Sequence, residues 1–119
     1  MKFLVVDDSS TMRRIVANTL NNIGYNDVTL AEDGLDAIKK IKSNQFDAIM
    51  TDWNMPHMDG LELVKRTRQM ESYKDVPIIM ITTEGGKAQV ITALRNGVNN
   101  YIIKPFNSRT LQEKLEDII

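Results

Sequence analysis

Apolar residues along this chain alternate between two spacings. Phe3-Leu4-Val5-Val6 is an unbroken β-rich run, whereas Met12, Ile15, Val16, Thr19, Leu20 and Ile23 recur on one stripe with a period of about 3.6 residues. The run predicts a strand, and the stripe predicts a helix capped from Ser9 or Ser10 and closed near Gly24. The alternation then repeats. Asp27–Ala31 reads as a second strand, followed by a helix from Asp33 or Gly34 carrying Leu35, Ile38 and Ile41. Phe46–Thr51 is a third strand; after a loop with Pro56 comes a helix from about Gly60, with Leu61, Val64 and Thr67 on its inner side. Val76–Ile81 is the fourth and most apolar strand, ahead of a helix bearing Val90, Ile91 and Leu94. Asn100–Ile103 is the fifth, and Leu111, Leu115 and Ile118 line a last helix from Asn107 or Ser108.

Five βα units within 119 residues leave only short connections. The pattern therefore predicts an α/β fold: a doubly wound five-stranded parallel sheet, (βα)5, with helices on both faces, as one domain over 1–119. An eight-unit barrel would need about twice the length. Strand order is not determined by pattern alone, but in any such sheet the loops after the strand C-termini hold the site.

Composition narrows the chemistry. No cysteine is present, which excludes disulfides, thiolate nucleophiles and Cys-based metal sites, and a single histidine, His57, argues against most zinc sites. Fifteen Lys plus Arg balance sixteen Asp plus Glu, so no global charge draws the chain to nucleic acid or anionic membrane. No apolar run approaches the length of a membrane span, and the start is unlike a secretory signal, so residence in the cytoplasm is expected.

The strand ends select the candidate site. Asp7 and Asp8 follow the first strand and Asp52 the third, and strands one and three can be neighbours across a switch point. A lone carboxylate at a strand end is usually a cap or a solvated loop residue. Three converging ones repel and call for a cation, and an oxygen-only donor set suits Mg²⁺, with Mn²⁺ as a substitute. Lys104, at the end of the apolar fifth strand, needs an anionic partner. Thr82 ends strand four in the same row and offers a hydroxyl. Metal, ammonium and hydroxyl together form a receptor for phosphoryl oxygens, and one carboxylate is then the nucleophile. Asp52 suits that role, because the adjacent Asp7 and Asp8 suit holding the ion or its waters.

These residues carry a resemblance. Asp7-Asp8, the segment Asp52-Trp53-Asn54-Met55-Pro56-His57-Met58-Asp59-Gly60, Ile81-Thr82-Thr83-Glu84 and Lys104-Pro105-Phe106 fall in order, each at a strand end. Across its whole length the chain resembles the receiver domains of two-component response regulators. Trp53-Asn54 and the stretch from Ser10 to Val16 resemble the single-domain chemotaxis branch. The resemblance implies a flavodoxin-like strand order, 2-1-3-4-5, and phosphorylation of Asp52 by a chemotaxis histidine kinase. It implies Mg²⁺ on Asp8, Asp52 and the Asn54 backbone carbonyl, with Asp7 acting mostly through water. Lys104 would pair with the phosphoryl group and Thr82 would swing toward it. Tyr101 would move from exposed to buried, remodelling an output face with Lys87 and Val90 that binds the flagellar motor switch protein. Trp53, Glu84 and Thr83 would form the site rim, with Asn54 and Glu84 influencing attack of water on the acyl phosphate. A phosphatase is a further partner the family admits, the Lys104-Pro105 bond is expected to be cis, and a monomer is expected.

Such a chain is a phosphoacceptor and binding module rather than a turnover enzyme. One alternative is a receiver from a DNA-binding regulator or a phosphorelay shuttle, although no helix-turn-helix or basic tail is present in the sequence. The other is a small metal-dependent phosphohydrolase, whose general acid would stand two residues beyond the nucleophile, where this chain has Asn54. Two departures from the family pattern stand at the rim. Ser9 replaces an aromatic, and Thr83 replaces an alanine and adds a hydroxyl that would compete for Thr82 or change the room for Tyr101. Gly85-Gly86 predicts a mobile segment from Thr83 to Lys87.

Overall fold

The computed structural model describes residues 1–119. Strands β1 (Lys2–Val6), β2 (Asp27–Ala31), β3 (Ala48–Thr51), β4 (Ile78–Thr82) and β5 (Asn100–Ile103) alternate with helices α1 (Ser10–Ile23), α2 (Gly34–Ser43), α3 (Gly60–Arg68), α4 (Lys87–Arg95) and α5 (Ser108–Glu116). All neighbours pair in parallel in the order β2-β1-β3-β4-β5, the order the resemblance implies. No helix is long and apolar enough to cross a membrane.

Local chemistry sets the helix ends. The side chains of Ser9, Asp33, Asp59 and Asn107 accept from the backbone N–H groups of Met12, Asp36, Glu62 and Thr110, so each of these four helices starts on an N-cap. Gly86 leads into α4 with no side-chain cap. Gly24 closes α1 at φ 114°, a left-handed conformation open to glycine.

Alternation along the strands divides the interior in two. Phe3, Val5, Met50, Ile79, Ile81 and Ile102 face α1 and α5, where they meet Val16, Leu20, Leu111 and Leu115. Leu4, Val6, Ile49, Ile78, Met80 and Tyr101 face the other way, onto Ala37 and Ile41 of α2, Leu63 and Val64 of α3 and Ala93 of α4.

Several expectations shift in detail. The third strand begins at Ala48 rather than Phe46, whose N–H donates instead to the Tyr73 hydroxyl. The fourth begins at Ile78, because Pro77 has no N–H, and the Ile78 N–H is taken by Asn99 Oδ1. A 3-10 turn at Glu71–Tyr73 was not predicted. Ile15, on the apolar stripe of α1, is 44% exposed, and Leu35, Ile91 and Leu94, apolar residues that marked α2 and α4, are 47%, 38% and 46% exposed. In α3 the buried leucine is Leu63, with Leu61 half-buried.

The edge of the sheet opposite the strand C-termini is held by polar staples. Arg68 donates to the carbonyls of Tyr73, Val76 and Gly97 and to Asn99 Oδ1, joining the end of α3 to the starts of β4 and β5. Burial draws its guanidinium pKa down, and Asp75 pulls the other way.

Candidate functional site

At the C-terminal edge of the sheet, β1 delivers Asp7 and Asp8, β3 delivers Asp52, and β5 leads to Lys104. The three carboxylates lie within 4.8 Å of one another. Asp7 and Asp52 are buried, at 4% and 9% exposure, whereas Asp8 is exposed and makes no ion pair. The Lys104 ammonium bridges the buried two, at 2.8 Å from Asp7 Oδ2 and 2.9 Å from Asp52 Oδ2. The second oxygen of each is also engaged: Asp7 Oδ1 accepts from the Ser9 N–H at 2.9 Å and Asp52 Oδ1 from the Trp53 N–H at 2.6 Å.

Burial raises the Asp7 carboxyl above its ordinary range, and the bonds from Lys104 and Ser9 only partly offset it. Burial works against the Lys104 charge, but the hydrogen bonds to Asp7 and Asp52 outweigh it and the ammonium pKa is raised. One ammonium does not neutralise three carboxylates. This all-oxygen cluster, with Asp8 facing solvent, fits a hard divalent cation.

The rest of the rim is tied together through Glu84. Its carboxylate accepts from the Asn54 side-chain amide at 2.9 Å, its N–H donates to Thr82 Oγ1 at 3.3 Å, and its carbonyl accepts from the Tyr101 hydroxyl. Thr82 is fully buried; its carbonyl accepts from the Lys104 N–H at 2.9 Å, but its hydroxyl makes no hydrogen bond to Asp52 or to the Lys104 ammonium. Thr83 is exposed and its hydroxyl makes no hydrogen bond, while the Thr82 hydroxyl accepts from the Glu84 N–H. Ser9 faces its own helix as the α1 cap. Trp53 is half-buried against the same core as Tyr101. Of the expected output face, Lys87 is exposed and Val90 half-buried, but Tyr101 is only 8% exposed, in the same apolar cluster as Ala93 and with Val90 packed against that cluster. Burial, then Glu84 and Asp52, push its phenol up to about 12. The Lys104-Pro105 bond is cis, as expected.

Three contacts had no counterpart in the sequence reading. Arg13 donates to the Asp7 carbonyl at 2.6 Å. Gly60 sits so close to Asp52 that a Cβ would fall 1.9 Å from its carbonyl oxygen. His57 Nδ1 lies 2.8 Å from Asp33 Oδ2.

The profile of the response regulator receiver domain matches residues 3–116. The chain belongs to the response regulator receiver family. This receiver is 60% identical over 120 residues to a chemotaxis protein CheY homolog of Campylobacter jejuni, a match covering all of this chain and 92% of that protein. The structure of the chemotaxis protein CheY4 of Vibrio cholerae superposes with a TM-score of 0.93 at 40% identity, over 99% of this receiver and 98% of that chain. A receiver domain of a Pseudomonas aeruginosa sensor histidine kinase, solved with magnesium coordinated in its active-site cleft, superposes at 0.89 with 31% identity, over 98% of this receiver and 95% of that chain. The Asp7, Asp8 and Asp52 cluster is one that can hold a divalent metal, as in related receivers.

Proposed function

We propose that this receiver is a chemotaxis response regulator that takes a phosphoryl group from a histidine kinase onto Asp52 and, so modified, binds the flagellar motor switch. The observation that carries the reading is the Lys104 ammonium held between Asp7 and Asp52, with Asp8 open to solvent beside them. A carboxylate oxygen of Asp52 attacks the phosphorus of a phosphohistidine in line. A P–O bond forms, the P–N bond breaks, and the imidazole leaves with a proton. Lys104 turns from neutralising Asp52 to neutralising the transferred group's oxygens. Mg²⁺ held by Asp8, Asp52 and the Asn54 carbonyl, with Asp7 behind it, would supply the remaining positive charge. Water then cleaves the acyl phosphate, under the influence of Asn54 and Glu84, and a phosphatase would hasten that step. Output requires only a population shift, and a coupling of about 1–3 kcal/mol changes partner affinity about 5- to 150-fold.

The chemotaxis relatives support this output over a DNA-binding regulator or a phosphorelay shuttle, since the C. jejuni homolog is matched over 92% of its own length. The test is Trp53 fluorescence during titration with Mg²⁺ and then with beryllofluoride or acetyl phosphate, repeated on Asp52→Asn. A magnesium response, then a saturable second change that D52N lacks, together with tighter binding of a motor-switch peptide, is expected. Silence to both, with no phosphoryl mass added, would overturn the reading.

A further inference from the structure

The loop from Asp52 to Gly60 contains a backbone conformation that nothing in the phosphoacceptor chemistry requires. His57 stands at φ 69°, and the Met58 N–H donates across it to the Pro56 carbonyl at 2.7 Å. This is a three-residue turn of the uncommon hand, unfavourable for a residue with a Cβ. Such a conformation persists only where its surroundings over-determine it.

The surroundings here are the first turn of α2. His57 Nδ1 donates to Asp33 Oδ2 at 2.8 Å, and Asp33 is buried at 6% exposure. The other oxygen of Asp33 is committed to the Asp36 N–H at 2.8 Å, so the carboxylate is anchored by its own helix and cannot follow the histidine. The next residue is gripped as well. The Met58 carbonyl accepts from the Gly34 N–H, and a Cβ at Gly34 would lie 2.6 Å from that carbonyl oxygen and 2.7 Å from Met58 Cβ. At its base the loop closes through the Gly60 N–H on the Trp53 carbonyl at 2.7 Å. Asn54 lies between these fixed points, with its side-chain amide also held by the Glu84 carboxylate at 2.9 Å.

We infer that Asp33 and His57 form a positioning pair that pins the apex of this loop to α2 and thereby sets how the Asn54 carbonyl is presented to a divalent cation on Asp8 and Asp52. The inference rests on the metal-dependent reading above. Neither residue touches the reacting atoms, and the pair acts through the backbone between His57 and Asn54. Capping α2 occupies only one oxygen of Asp33; the other is spent on holding an exposed histidine in a strained turn. Related metal sites show that partners outside the ligand set matter, with losses of about 10- to 100-fold in affinity on their removal.

His57→Gly separates the pair from general stability, because glycine accepts the left-handed backbone at no steric cost while losing the bond to Asp33. Asp33→Ser is the complementary variant: serine still caps α2 but is too short to reach His57. His57→Asn is the conservative rescue, since asparagine tolerates the same backbone and can donate to Asp33. The measurements are the Mg²⁺ dissociation constant from Trp53 fluorescence, amide exchange of residues 54–58 in metal-free protein, and the midpoint of thermal unfolding. H57G is expected to keep its midpoint, exchange faster through the loop and bind Mg²⁺ about tenfold more weakly, with D33S likewise weakened and H57N restored. If H57G binds Mg²⁺ as the wild type does, or if H57N fails to restore binding, the positioning role is overturned while the phosphoacceptor reading stands. A wild type that does not respond to Mg²⁺ overturns both.

Discussion

Tyr101 shows how a single side chain reports on its surroundings. Its ordinary phenol value of 10.0 is pushed up to about 12, first by burial and then by Glu84 and Asp52, so the folded chain holds the proton more tightly than the unfolded one. The stabilising difference is complete below pH 10 and is lost as pH rises from there toward about 12. Subtracting the ultraviolet titration of Tyr101→Phe from that of the wild type is expected to isolate an ionisation step near the upper value. A step near the ordinary one would mean that the ring spends its time outside. The same variant removes the bond to the Glu84 carbonyl, at a cost of about 1 kcal/mol. At this scale the sequence was most informative where charge type and strand end coincide, as for Asp7, Asp8, Asp52 and Lys104. It was silent on Asp33 and His57, because their meeting depends on a left-handed backbone at His57 that no periodicity encodes. Tyr101 falls between, since its position in the strand was legible but not the side of the rim to which its ring belongs.

Among the elements, α4 is the least secured. It starts at Lys87 after a stretch without regular structure, lacks a side-chain cap at Gly86, and buries only Ala93 fully. Val90, Ile91, Ala93 and Leu94 are all apolar within one short helix, and the small Ala93, not the leucine, is the one fully buried. Gly86→Asp is expected to supply the missing cap and to favour the helix dipole, stabilising the chain by about 1 kcal/mol in urea denaturation. The new Cβ would meet only the flexible end of Gln89, at 2.0 Å, which must swing aside. An unchanged midpoint would show that it does not. In the parent chain, amides from Thr83 to Lys87 should exchange quickly, and uniform protection there would contradict a mobile segment. Elsewhere Ser9, Asp33 and Asn107 made helix starts readable to within a residue, because these caps bond locally and need no tertiary context.

For the molecule as a whole, the βα alternation disclosed the layers but not the order of strands, since parallel units with similar connections can be wound in more than one way. The observed order places β1 between β2 and β3, so the first strand made is a central one. Its site partners arrive from far along the chain: Lys104 lies 97 residues from Asp7 and 52 from Asp52. Contacts of such separation carry a large closure cost and tend to form late. During refolding from urea, phosphoryl uptake from acetyl phosphate, sampled at intervals, is expected to appear with the final phase and not with early secondary structure. Uptake ahead of that phase would show the site working before β5 docks. On a ribosome the same geometry acts as a seal of completion. On the proposed phosphoacceptor reading, a nascent chain that exposes all three carboxylates while its last strand is still in the exit tunnel would lack the one ammonium that completes the receptor, so an unfinished molecule would not be charged and send a false message.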